Sequence, residues 1–297
     1  MLSKEHIADW FAGLQDRICR SLETADGRGR FGQDLWQRAE GGGGRTRTWV
    51  GGRVLAKAGV GFSAVHGPVP TKLGGGFGLN GGEFYATGVS LVMHPENPWV
   101  PIVHMNVRYF EHSSGTYWFG GGIDLTPHYV DEADARHFHT QLNAVCDRFH
   151  PDYYPQFKQG ADTYFYLPHR GETRGVGGIF FDHLTATETL SKADRWAFVQ
   201  AVGESFAPIY THFMNGNANR PYGERELRWQ RLRRGRYVEF NLVYDRGTRF
   251  GLETGGRTES ILMSLPPQAD WQYDYHPEPG SPEQATLDIL RRTVDWV

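Results

Sequence analysis

The chain has 297 residues, with 31 Lys and Arg against 34 Asp and Glu; the net charge of −3 gives no support to the basic surface of a nucleic-acid binder. No apolar run approaches the roughly 20 residues of a membrane helix, and MLSKEHIADWFAG reads as an amphipathic helix rather than a signal peptide, so a cytoplasmic chain without a membrane span is expected. Cys19 and Cys146 stand far apart, which excludes an iron–sulfur cluster, a Cys-type zinc site and a disulfide framework.

In chain order, Ile7, Phe11, Leu14, Ile18 and Leu22 recur at helical spacing behind Ser3, an N-cap residue, and predict a helix over 3–22. The glycine run at 41–44 reads as a loop, and a second run lies at 74–82. Neither sits between a strand and a helix, as a dinucleotide cradle would, so no nicotinamide or flavin cofactor is expected. Strands are expected at 84–94 and 102–110, paired antiparallel across the turn-forming PENPWVP. Further strands are expected at 117–124, 163–167, 178–183, 237–244, 248–252 and 260–265. Helices are expected at 131–149 and 191–213. A last helix opens at Ser281-Pro282-Glu283-Gln284, a capping box with proline at its first position. The basic run from Arg228 to Arg236 reads as a solvated helix end. These elements predict one α+β domain over 1–297, with a large, mostly antiparallel sheet sandwiched between helices.

Side chains two apart in a strand share a face. His104, Asn106 and Arg108 therefore oppose Val103, Met105, Val107 and Tyr109, while Ser90 and His94 lie with Ala86 and Gly88. An outer sheet face is ordinarily polar and solvated. The absence of Lys and Glu here, beside small residues, suits the floor of a cavity instead. Gly120-Gly121-Gly122 would let a ligand approach the backbone, and Asp124 follows, either as a functional carboxylate or as a turn cap. His137 and His139 are two apart on a helix, so they cannot both face one ion. There is no HExxH pattern, and spacing leaves ordinary hydrogen-bonded histidines as the alternative to a metal site. Near the end, the amides of Gly255 and Gly256 with Arg257 could hold a carboxylate, or form an ordinary glycine hairpin with a surface arginine.

Six stretches carry a resemblance: FSAVHG (62–67), TGVSLVMHPENPWVPIVHMNVRYFE (87–111), WFGGGIDLTPHY (118–129), DTYFYLPHR (162–170), GVGGIFFDHL (175–184) and YVEFNLVYDRGTRFGLETGGRTESILMSLPP (237–267). In this order they closely resemble the oxygen-dependent coproporphyrinogen oxidases. The link between His112 and Tyr117 looks shorter than in many relatives, and Ala64 varies a loop.

The resemblance implies a homodimer that turns coproporphyrinogen III into protoporphyrinogen IX in haem biosynthesis. Molecular oxygen is the co-substrate, and flavin, haem, nicotinamide and iron–sulfur cluster are not used. It implies substrate contacts at Ser90, Asn106, Val107, Arg108, Gly255, Gly256 and Arg257, and a proton donor at His104. It implies a divalent metal, manganese among the candidates, on His94, His104, His139 and His169, and dimerisation through the segment from Tyr237 to about Asp270. Beside this, Asp124 is the residue expected to orient the pyrrole N–H groups during catalysis. A metal-dependent hydrolase or dioxygenase and a non-catalytic tetrapyrrole binder are the rival readings.

Overall fold

The fold was analysed in a computed structural model that describes residues 2–69, 81–253 and 256–297. Helix α1 (Lys4–Asp26) starts where the Ser3 hydroxyl accepts from the His6 amide and stops at Gly27, whose φ of 77° an L side chain would resist. Six strands follow: β1 (Gly32–Gln37), β2 (Gly42–Val50), β3 (Leu55–Pro68), β4 (Glu83–Pro95), β5 (Ile102–His112) and β6 (Tyr117–Thr126). After α2 (Glu132–Asp147) and α3 (Tyr153–Tyr164) come a short hairpin, β7 (Tyr166–Leu167) and β8 (Glu172–Thr173), and strand β9 (Gly177–Leu184). The chain ends in α4 (Lys192–Asn217), α5 (Glu224–Glu239), a π-helical turn (Phe240–Tyr244), α6 (Arg246–Glu253), α7 (Thr258–Leu262) and α8 (Pro282–Leu290).

Strands β1 to β6 and β9 form one antiparallel sheet in the order β1-β2-β3-β4-β5-β6-β9. Its two faces differ because the pleat sorts side chains with period two. One face carries Val60, Val89, Leu91, Met93, Val103, Met105, Val107, Tyr109, Phe119 and Ile123, all buried with the apolar stripes of α1, α2 and α4 in the main core. Leu14 and Phe11 of α1 and Phe206 and Phe213 of α4 are fully enclosed there. The opposite face is polar, and α5, the π turn, α6 and α7 lie over part of it. The α+β architecture with helices on both sides of an antiparallel sheet is as expected.

Several elements differ from expectation. The segment 237–244 is the end of α5 and the π turn, and 248–252 and 260–265 lie in α6 and across α7, not in strands. The aromatic and β-branched residues there suggest strands, yet the buried residues Arg233, Tyr237, Phe240 and Asn241 recur at helical intervals, and packing on the sheet overrides local propensity. Residues 163–164 close α3, leaving a two-residue strand after them. The glycines at 42–44 are the start of β2 rather than a loop: a side chain on Gly44 would stand 2.3 Å from the Trp36 ring of β1. Ala64 likewise lies within β3, not a loop. Residues 74–80 of the second glycine run lie outside the described residues.

The run from Arg228 to Arg236 is not a solvated helix end. Arg233 is buried against Glu172, with Nη1–Oε1 at 2.5 Å, and Arg234 donates to the Pro95 carbonyl at 2.6 Å. Burial pulls Arg234 down to about 10. Replacing Arg233 by Met strands the Glu172 charge in the interior, and is expected to cost about 3–5 kcal/mol in urea unfolding. The same change at exposed Arg228 is expected to stay within about 0.5 kcal/mol. Equal effects at the two sites would contradict the burial argument.

Candidate active site

The polar face is ordered in rows that run across the strands. Asp34, Thr46, Gly61, Ser90, Asn106 and Gly122 are consecutive cross-strand neighbours, and Gly59, Val92, His104, Asp124 and Gly178 form the next row. A third row places Ser63, Gly88, Arg108 and Gly120 together. Six of these positions are glycines in strands rich in apolar and aromatic residues, a choice that weakens a strand but leaves a flat floor. At Gly120 the missing side chain has a visible use: a Cβ would lie 2.8 Å from both Arg108 Nε and Asp182 Oδ1. The Arg108 guanidinium therefore lies across β6 to meet Asp182 at 3.0 Å, and also donates to Asn106 at 2.9 Å. At the end of this face the rings of Phe110 and Trp118 stack with centroids 4.0 Å apart.

His104 is a quarter exposed and bonds through Nδ1 to Asp124 Oδ1 at 2.9 Å. Asp124 is sealed. Arg174 Nη2 lies 2.8 Å from Oδ1 and 2.9 Å from Oδ2, and Arg174 Nε lies 3.0 Å from Oδ2. Burial pushes the Asp124 carboxyl up, but the Arg174 charge and the His104 bond overcome this, and it titrates below the ordinary carboxylate range. A carboxylate thus fixed accepts from Nδ1–H, which leaves Nε2 as the imidazole atom available to a ligand. Asp124 therefore meets His104 and Arg174, not the open face. Asp245 is held low although burial raises it, because the Thr248 amide and Tyr164 hydroxyl donate to it and His104 adds a favourable charge interaction.

The other expected site residues divide. Ser90 and Asn106 lie side by side in the central row, with Ser90 exposed. Val107 points the other way, into the helix-facing core, so its side chain is not part of this face. Arg257 pairs with Asp34 of β1, and Ser260 Oγ lies 2.8 Å from Thr46 of β2, so α7 and its N-cap residue lie at the β1–β2 end of the polar face. Two arginines, Arg108 and Arg257, thus stand towards opposite ends of it. The Gly256 amide donates to the Gly251 carbonyl, while Gly255 lies outside the described residues.

The four histidines expected to share a metal do not converge. His94 is buried beneath Tyr237, with Nε2 donating to the Ser264 carbonyl at 2.8 Å, and burial drives it well below an ordinary imidazole. His139 sits on α2; Nε2 donates to Val176 O and Nδ1 accepts from Tyr154, so no lone pair remains. His169 uses Nε2 on Glu239 and Nδ1 on Tyr244. Among the described residues, no three His, Cys, Asp or Glu side chains form a group that could hold an ion. Within one chain these donors do not fit a shared metal.

Arg174, Asn241, Asp245, Tyr164 and Asp182 were not singled out from sequence. Arg174 stands in the loop after a two-residue strand, where no periodicity reveals its direction; Asp182 lies in the strand run IFFDHL, where its face could have been read.

A flat, glycine-floored face edged by arginines suits a broad, multiply anionic molecule, and the oriented histidine equips it for proton transfer; the fold and site define an enzyme. Comparison with known proteins specifies it. Residues 6–296 match the family described as Coproporphyrinogen III oxidase, and the chain belongs to that family. A relative named oxygen-dependent coproporphyrinogen-III oxidase, from Synechococcus sp. (strain CC9605), is 47% identical over 319 residues, covering 99% of this chain and 88% of the relative.

Burial lowers His139 from 6.5 to about 4. The unfolded chain therefore takes up this proton first as pH falls, and stability is lost between about pH 6.5 and 4, by on the order of 3 kcal/mol for this group. His139→Gln, which keeps a donor for Val176 O, should flatten the pH dependence of urea unfolding in that window. An unchanged slope would show that His139 is not buried neutral.

Proposed function

We propose that this chain removes the carboxyl groups of two propionates of coproporphyrinogen III with molecular oxygen, leaving vinyl groups and giving protoporphyrinogen IX in haem biosynthesis. The observation that carries the reading is His104, presented on the glycine-floored face by the buried Asp124–Arg174 pair. The substrate offers four carboxylates around a broad macrocycle. Arg108 and Arg257, with Ser90 and Asn106 between them, supply charge-assisted and neutral hydrogen bonds for such an outline. The amides of Gly255 and Gly256 belong to the same expectation.

Each round converts –CH2–CH2–COO⁻ to –CH=CH2 and CO2. The β-hydrogen leaves as the equivalent of a hydride, and O2 with one further proton becomes H2O2. Oxygen first adds to the electron-rich pyrrole, and the bound peroxide or a nearby base then takes the β-hydrogen as CO2 departs. His104 supplies or accepts the proton at Nε2, with Asp124 acting through it. Because the four histidines lie apart, no step of this reading runs through a metal.

The same reading takes the protein as one domain over 1–297, dimeric and cytoplasmic. Leu242, Val243 and Leu252 expose apolar side chains in the segment expected to dimerise, and the two cysteines are buried and unpaired, as a reducing compartment favours.

Purified protein incubated with coproporphyrinogen III should yield protoporphyrin, after oxidation of the products, in air and not under nitrogen, with the yield surviving chelation. His104→Gln should lower kcat by roughly 10²–10⁴-fold in folded protein. Absence of product in air, with metal supplied, would favour a binding protein. Activity abolished by chelation and restored by metal would favour a metal-dependent mechanism.

A further inference from the structure

The innermost member of the group that presents His104 is Arg174. It is 3% exposed, and all three guanidinium nitrogens are engaged: Nε and Nη2 on Asp124, and Nη1 on Asn241 Oδ1 at 2.9 Å. Its charge centre lies 4.5 Å from the ring centroids of Phe165 and Phe240 and 4.7 Å from that of Tyr237. Phe240 and Asn241 reach it from the π turn, an irregularity often kept for a function. A cage of three aromatic faces holds the cation in place, and Asp124 is the carboxylate its guanidinium bonds directly.

Stability does not explain this arrangement. A buried ion pair is often matched or bettered by apolar residues of similar volume, because both ions lose their water. The consequence that an apolar replacement would lose is at the next atom along. Asp124 Oδ1 accepts from Arg174 Nη2 and from His104 Nδ1 together, so the guanidinium sets both the charge and the direction of the oxygen that faces His104.

We propose that Arg174 is a positioning residue: through Asp124 it holds His104 with Nδ1 protonated, so that Nε2 is the nitrogen offered to the reacting molecule. This rests on the reading of His104 as the proton-transfer group, and it adds the element that fixes which ring nitrogen does the work. Asn241 and the three rings in turn hold the guanidinium. The π turn thus contributes to the placing of His104 through Arg174.

The test uses the full chain with Arg174→Met and Arg174→Lys, each checked for a cooperative unfolding transition. Histidine labelled with ¹⁵N reports the protonated nitrogen of each ring by long-range correlation spectra at about pH 8, where an imidazole is ordinarily neutral. His104 is assigned by the signals missing from His104→Gln. The expected result is a single Nδ1–H form in the wild type and a mixed or reversed form in Arg174→Met. Arg174→Lys, which restores a cation but not the paired bonds, should recover the form in part. Turnover of coproporphyrinogen III by Arg174→Met should show kcat lowered at least about tenfold with KM within about threefold, the pattern of a lost transition-state interaction.

An unchanged Nδ1–H form in folded Arg174→Met overturns the proposal. If that variant does not fold, a wild-type ring form with wild-type kcat in Arg174→Lys overturns it equally. The spectroscopic arm needs no substrate. A changed ring form in a chain whose wild type lacks turnover would therefore sink the proposed function while upholding the positioning.

Discussion

Arg174 and Asp124 place two opposite charges where almost no water reaches, and much of the surrounding structure makes that placement tolerable. Losing one member of such a pair costs about 3–5 kcal/mol, since the other is left charged and enclosed. The compensations come from distant parts of the chain. Asp124 is delivered by β6, Arg174 by the loop before β9, His104 by β5, and Asn241 and Phe240 by the π turn after α5. The site therefore exists only once the sheet and its covering helices have formed together. That shared dependence explains why α5 is bound to the sheet through Arg234, Gln230 and Tyr237, and to the β7–β8 hairpin through Arg233.

The sheet does two jobs with one periodicity. Val103, Met105, Val107 and Tyr109 anchor the helices of the apolar layer, while the residues between them form the working surface. A one-residue slip of β5 would exchange the two sets, so burial of the apolar side fixes the register of the functional side. Stability on one face thereby specifies chemistry on the other. The floor glycines add to this: Gly59 lies beneath Met263, and Gly120 beneath the Arg108–Asp182 pair.

How much was legible from sequence follows from the range of each interaction. The alternation in 102–110 is local, so the division of β5 into core and polar residues could be read directly, and Ser90, Asn106 and Arg108 emerged with it. The Ser3 N-cap of α1 and the Ser281 N-cap of α8 are equally local, although the expected capping box is only half formed, because the Gln284 side chain donates to Asp288 instead. β1 to β3 were not legible, because Gly42-Gly43-Gly44 and the arginines of β2 mask the alternation. Residues 237–244, 248–252 and 260–262 were misread as strands because they favour that state until the sheet supplies a partner. The partners of Asp124 were beyond reach as well. Arg174 is 50 residues away in sequence and Asn241 a further 67, and nothing in their spacing announces a meeting. The histidines show the converse failure. Resemblance grouped His94, His104, His139 and His169, while the structure gives each its own partners.

The direction of control runs from the cage inward. Phe165, Tyr237 and Phe240 fix where a cation can sit; the cation fixes the carboxylate; the carboxylate fixes one proton on an imidazole. Each step hands positional precision to a smaller and more mobile group, and the last of these, His104, is the only one of the three polar side chains open to the face where a ligand can lie. A lone histidine on a half-exposed strand would sample both tautomers and several ring orientations. Anchored through two buried charges, it offers a single nitrogen, and the desolvation cost of those charges is the physical reason the anchor does not relax into water.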